Sequence, residues 1–352
     1  MKFGPVPLAR AVGKILGHNI AGSDGKRLLR KGKPLSQADL SALAGIGRQS
    51  VYVAELEPGD VDENNAARRV ARAIAGPGLR LPGAASGRAN ALAAVLGVLR
   101  VDAARLDQLN NLEGVTVATL AAHSPVRPHQ IAATVKIIPF ALPEATVLAA
   151  EALAVGPSGT PLLRVDALPA RSVSVIFSGS PALRDRLTAD FAPLLERLEN
   201  LGAQVVSLDF VPLEDESGEA LLARTLEARR AAGSQMIVLA GETAIMDRHD
   251  LVPRAVERAG GHVEALGAPV DPGNLLMVAY LGDVPVVGAP GCARSRKVNI
   301  VDWVLPRLLA GDRLTRADLT ALGHGGLLEE APERPMPRGE EVKDGEGEEQ
   351  QG

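Results

Sequence analysis

Between residues 169 and 312 the chain alternates short apolar runs with amphipathic stretches, and this alternation constrains the fold most. Val173-Ser-Val-Ile-Phe177 reads as a buried strand. Leu187, Phe191, Leu194, Leu195, Leu198 and Leu201 then fall on one helical face, and Gly202 stops that helix. Val205 to Phe210 and Met236 to Ala240 read as strands around a helix from Leu221 to Ala232. Asp250 opens a helix that reaches Ala259, with a proline early in it, where proline is tolerated. Leu275 to Tyr280 and Val284 to Val287 flank Leu281-Gly-Asp283, a hairpin signal. Val298 to Leu309 closes as a helix that Pro306 should kink. Alternation of this kind predicts an α/β fold with a mostly parallel sheet covered on both faces, in three α/β/α layers.

The chain has 352 residues, enough for two or three domains. Hydrophobic residues make up 46% but aromatics only 2%, so the core must be aliphatic. Scarce aromatics and a formal net charge of -4 argue against a nucleic-acid partner, which needs stacking rings or a basic field. The single cysteine, Cys292, allows neither an internal disulfide nor a thiolate zinc cage. No apolar run is long enough to span a bilayer, and the first residues lack a signal-peptide core. The expectation is a cytoplasmic protein with no membrane partner.

Organisation follows from turn and composition signals. Residues 1–58 form an N-terminal α+β unit: Pro7 to Leu16 has helical spacing, Ser36-Gln-Ala-Asp39 is a capping-box start, and Ser50 to Ala54 is a strand. Residues 59–168 form a middle α+β region and linker, with helices at Asn65 to Ala75 and Ala89 to Leu96 and a strand at Thr134 to Pro139. The α/β domain takes 169–312, and a C-terminal helix 313–329. Residues 330–352 are rich in Glu, Gly, Pro and Gln, so an acidic disordered tail is expected. Leu35 to Leu43 echoes Leu314 to Leu322, which reads as shared helix-start grammar rather than a repeat.

Three loops carry the chemistry. Gly241-Glu-Thr-Ala-Ile-Met-Asp-Arg-His-Asp250 follows a strand, and Gly288-Ala-Pro-Gly-Cys-Ala-Arg-Ser295 follows another. Pro269-Val-Asp-Pro-Gly-Asn274 leads into one. Glycine allows close backbone approach, and loops beside a parallel sheet form an anion and cofactor crevice. Each has a plainer reading: Asp250 as an N-cap, Pro-Gly as a tight turn, Cys292 as a small loop residue. The six histidines form no ligand spacing.

On these motifs the domain resembles the molybdopterin-binding domain of molybdenum-cofactor biosynthesis proteins. Asp250-Leu-Val-Pro-Arg-Ala looks like the Asp-Val-Thr-Pro-Glu-Ala element of the adenylyltransferase branch, while Asp247 fits the Gly-Asp step of the insertase branch. Gly288 to Ser295 resembles Gly-Leu-Pro-Gly-Asn-Pro-Val-Ser, with Cys292 in place of asparagine. Asp271, Pro272, Gly273 and Asn274 resemble the Lys-Pro-Gly-Lys-Pro loop without its lysines. Ser178-Gly-Ser180 stands where the family has Thr-Gly-Asp or Thr-Gly-Asn, and Glu242 stands where it prefers Gly or Thr. Pro5 to His18 looks like the opening of molybdopterin molybdenumtransferase. Thr134-Val-Lys-Ile-Ile-Pro-Phe140 and Asp271-Pro-Gly-Asn274 look closer to the unit preceding the nucleotidyltransferase of molybdopterin cytidylyltransferase fusions.

The resemblance implies a ligand, molybdopterin or its nucleotide adduct. It implies contacts from Ser178, Gly179, Ser180, Gly241, Glu242, Thr243, Asp271, Pro272, Gly273, Asn274, Pro290, Gly291, Arg294 and Ser295. Asp247 and Asp250 are the implied catalytic residues and the implied ligands of a magnesium ion. Two functions remain open, with a nucleotide amidase related to the competence-damage proteins that share this domain as a distant third. One is a transferase that inserts molybdenum from molybdate. The other is a non-catalytic carrier serving a separate cytidylyltransferase or molybdenum hydroxylase. Either could be a homo-oligomer.

Overall fold

Continuous apolar runs bury both faces of a strand, and covered parallel sheets are built from such runs. The computed structural model describes residues 1–156, 159–213 and 215–328, in two units, Met1–Leu168 and Pro169–Gly352. The expected tail at 330–352 lies outside the described residues.

In the second unit the sheet is built from β1 (Ser172–Gly179), β2 (Gln204–Pro212), β3 (Met236–Gly241), β4 (His262–Leu266), β5 (Met277–Leu281) and β6 (Val284–Gly288). Their order across the sheet is β2-β1-β3-β6-β5-β4. The β1–β2, β1–β3 and β3–β6 pairs are parallel, and β5 runs antiparallel to both β6 and β4. The sheet is thus mixed: β5 alone opposes the other strands.

Helices lie on both faces. α1 (Arg184–Asp190) and α2 (Ala192–Asn200) connect β1 to β2. α3 (Glu216–Ala231) connects β2 to β3, and α4 (Leu251–Arg258) connects β3 to β4. Leu222 and Leu226 of α3 and Ala255 and Val256 of α4 pack on Ile176, Ile237, Leu239, Met277 and Val286. The neighbouring residue Phe177 points to the opposite face, where its ring lies 6.0 Å from that of Phe191. Leu194 and Leu198 of α2 are buried. Arg197 of α2 pairs with Asp302 of α5 (Val301–Ala310) at 2.8 Å, tying two helices together. Each fully buried leucine in these layers contributes about 2 kcal/mol of transfer free energy. Pro306 sits inside α5, and α6 (Arg316–Thr320) follows.

The expected helix through Leu187 to Leu201 is broken in two. Phe191 lies between α1 and α2, and Pro193, at the start of α2, has no N–H for a continuing ladder.

The first unit mixes helices with small antiparallel sheets. Lys2–Pro7, Ser50–Glu55 and Ile15–Leu16 form one sheet, and helix Gln37–Gly45 adds Leu40 and Leu43 to its core. The helical spacing read at Pro7 to Leu16 is overturned: only Leu8–Arg10 makes a 3-10 turn, Gly13 has φ of 77°, and Ile15–Leu16 is a strand. Helices Glu63–Ile74 and Glu144–Ala154 pack around the sheet of Val115–Thr119, Ile131–Ile137 and Arg88–Ala93. The helix expected at Ala89 to Leu96 is therefore a strand over Arg88–Ala93. Its alanines mislead by propensity. Their period-2 burial, with Ala89, Ala91 and Ala93 inward, is the pattern that decides. Among the described residues no helix is long and apolar enough to cross a membrane.

Candidate functional site

Topology places the site. From β1 the chain crosses to β2 on one side, then returns over β1 to β3 on the other. The two crossovers diverge at the carboxyl ends of β1 and β3, which is where open α/β sheets form a crevice. β1 ends at Gly179 and β3 at Gly241. A cleft of about 590 Å³ opens there. Its lining includes Ser178, Gly179 and Ser180 from the first strand end, and Gly241, Glu242 and Thr243 from the second. Asp250 and Ala289 also line it. Sequence reasoning missed its apolar wall, which includes Leu213, Ile245, Met246 and Val252. Met246 is 68% exposed at the cleft, and the signal was an apolar Ala244-Ile-Met246 run inside a loop.

The two strand ends are joined by side-chain chemistry. The Glu242 carboxylate accepts from the Ser180 backbone N–H at 2.8 Å and from its hydroxyl at 2.9 Å, both at Oε2. These two bonds, partly opposed by desolvation and helped by the nearby Arg294 charge, hold Glu242 below the usual carboxylate range. Gly179 makes the approach feasible: a Cβ on it would stand 2.7 Å from Glu242 Cβ. The Glu242 backbone N–H donates to the Ser178 carbonyl at 2.8 Å. The loop therefore sits with its carboxylate directly over the end of β1.

Arg294 braces the same loop from the third strand end. It belongs to a 3-10 turn, Gly291–Arg294, that follows β6. Its guanidinium donates to the Gly241 carbonyl at 2.8 Å and the Glu242 carbonyl at 3.2 Å, and lies 4.7 Å over the Phe191 ring. Its Nε is buried without a partner among the described residues. Arg294, expected as a ligand contact, is thus engaged in holding backbone. Arg197, which the sequence did not single out, anchors this region. It donates to the carbonyls of Ser295 at 2.7 Å and Lys297 at 2.9 Å while paired with Asp302.

The two aspartates are turn residues in this geometry. Asp250 Oδ2 accepts from the N–H groups of Met246 at 2.6 Å and Asp247 at 3.0 Å. Asp250 stands at the N-cap of α4 but makes no side-chain cap bond, because its carboxylate faces back into the loop. Asp247 is exposed, does not line the cleft, and accepts from the His249 N–H at 2.8 Å. Among the described residues no cluster of three or more His, Cys, Asp or Glu side chains could hold a metal.

The remaining expected residues lie elsewhere. The Asp271 to Asn274 loop does not line the cleft. Asp271 N–H donates to the Gly326 carbonyl, the Pro272 carbonyl accepts from Ile300, and the Asn274 carbonyl accepts from Ala268. Pro290 and Gly291 lead into the Arg294 turn, and a side chain at Gly291 would meet open space. Ser295 accepts from the Lys297 N–H at 3.1 Å. Cys292 is half-buried, and burial pushes its thiol above the usual range. A protonated thiol is a poor nucleophile, which fits a small loop residue.

Residues 5–55 match a domain of unknown function, DUF8806. No curated protein matches the chain by sequence. Among solved structures, a molybdenum cofactor biosynthesis protein from Pyrococcus furiosus aligns over 91% of this chain at 13% identity and a TM-score of 0.23. The chain spans 65% of that protein's length. A molybdopterin biosynthesis protein from Mycobacterium abscessus aligns over 40% of this chain and 93% of its own, at 14% identity and a TM-score of 0.29. A molybdenum cofactor biosynthesis protein B aligns over 44% of this chain and 94% of its own, at 19% identity and a TM-score of 0.26.

Proposed function

We propose that the second unit binds molybdopterin or its nucleotide adduct and serves molybdenum-cofactor biosynthesis. One observation carries this reading. The Ser178 to Ser180 and Gly241 to Thr243 loops, which resemble the family's ligand loops, line one cleft at the divergence of two crossovers. The apolar wall around Ile245 and Met246 suits a planar ring, and the loop backbones suit polar substituents.

Within that reading, a carrier that binds and hands over the pterin is favoured by the aspartates. Asp247 lies outside the cleft lining, and both carboxylates are engaged with their own turn. Insertion of molybdenum from molybdate is the second reading, favoured by Asp250 on the cleft wall. The backbone bonds use Asp250 Oδ2 and Asp247 Oδ1, so the other oxygen of each is what a magnesium ion would meet. Magnesium is commonly held by one or two carboxylates with ligand phosphates, and it would supply charge neutralisation there. The chain's own part is to seat the ring, exclude water from it and orient the phosphate end.

Incubating the purified protein with molybdopterin adenylate, magnesium and molybdate, then reconstituting an apo-hydroxylase, separates the readings. The carrier reading expects pterin bound but no molybdenum inserted. Insertion by the native protein, lost in Asp247→Asn and Asp250→Asn with pterin binding retained, would establish the insertase instead. Absence of pterin binding would sink both.

A further inference from the structure

We propose that Glu242 makes the β1 end of the cleft select a neutral hydrogen-bond donor, such as a vicinal diol or a ring amine, in preference to a phosphate. The proposal rests on the ligand-cleft reading and adds which end of a ligand can face β1. Loops at such strand ends ordinarily offer backbone N–H and hydroxyl donors to an anion. In this chain the donors of Ser180 are already taken. Its N–H and Oγ both reach Glu242 Oε2, at 2.8 and 2.9 Å. The protein's own carboxylate occupies the place an anionic group would need.

The arrangement is fixed rather than incidental. Glu242 is tethered through its N–H to Ser178 and through its carbonyl to Arg294. Gly179 leaves room for it, and no side chain larger than hydrogen would. Glu242 also lines a second, smaller cavity of about 180 Å³ with Leu187 and Arg294, so it stands as a wall between two spaces. A phosphate brought to Ser180 would face this carboxylate at close range. Like charges at that distance repel, and the Arg294 guanidinium beside the carboxylate offsets only part of that repulsion. A donor faces the opposite situation. Both Ser180 bonds use Oε2, so Oε1 is the acceptor through which a hydroxyl or amine would be held. A phosphorylated ligand would therefore bind with its ring or sugar toward β1 and its phosphate turned away.

Glu242→Gln is the discriminating variant, because its amide oxygen can still accept from Ser180 while the charge is gone. Calorimetric titration with two probes, inorganic pyrophosphate and adenosine, reads the effect at constant ionic strength. The variant should bind pyrophosphate at least about tenfold more tightly than the native protein, and adenosine more weakly. Unchanged circular dichroism and thermal midpoint serve as the folding control. Equal pyrophosphate affinity in both proteins, or no pyrophosphate binding in either, would overturn the proposal. A chain that showed the predicted exchange but bound no pterin would sink the molybdopterin reading alone. A chain that bound pterin without the exchange would sink only the role of Glu242.

Discussion

Gly273 lies so close to Ile300 that a Cβ added to it would stand 2.3 Å from Ile300 Cγ2. The same residue has φ of 140°, a region that side chains rarely adopt. The contact fastens the loop before β5 to the segment before α5, alongside the bond from Ile300 N–H to the Pro272 carbonyl. Gly273→Ala should destabilise the chain by about 3 kcal/mol, combining backbone strain with overpacking. Urea unfolding followed by circular dichroism measures it. A change within experimental error would show that the loop relaxes freely. Cleft binding should survive in the folded fraction, since this loop does not line the cleft.

A pH dependence follows from Asp39. The Lys33 ammonium bonds to Oδ1 at 2.6 Å, and the Ser36 hydroxyl and N–H bond to Oδ2, which together lower the carboxyl from 3.8 to about 2. A carboxylate whose folded pKa is depressed contributes stability above its unfolded pKa and loses it as pH falls through the folded one. The Asp39 contribution should be complete at neutral pH and disappear between about pH 4 and about pH 2. Asp39→Asn should lower stability at neutral pH and flatten the acid limb in that window. An acid limb identical in the variant and the native protein would contradict this.

How much of this was legible in the sequence depends on the distance over which each signal acts. Ser36 with Asp39, and Thr315 with Asp318, both form complete capping boxes, so the echo between Leu35 to Leu43 and Leu314 to Leu322 is shared helix-start grammar. Such caps span three residues, and the sequence shows them directly. The central strands of the α/β unit are legible for the same reason: burial on both faces demands unbroken apolar runs such as Met236 to Ala240. His262–Leu266 goes unread as a strand, because His262 and Glu264 interrupt its apolar pattern. Arg88–Ala93 was not, because alanine favours helix by propensity while pairing with Ile131–Ile137 imposes a strand. In the site, the sequence pointed to the loops but not to their joining. Ser180 and Glu242 are 62 residues apart, and only the parallel pairing of β1 with β3 brings them together. The backward turn of Asp250 was equally hidden, since an N-cap position does not dictate which N–H groups the carboxylate takes.

On the proposed reading, the cleft between β1 and β3 holds a pterin. Thr243 lines that cleft and is exposed, so a bulky side chain there can fill it without disturbing the core. The most direct measurement is calorimetric titration of molybdopterin into the native protein and into Thr243→Trp, under anaerobic conditions. Saturable binding by the native protein, weakened at least about tenfold in the variant at unchanged thermal midpoint, is the expected result. No binding by the native protein, or equal binding by both, would contradict it.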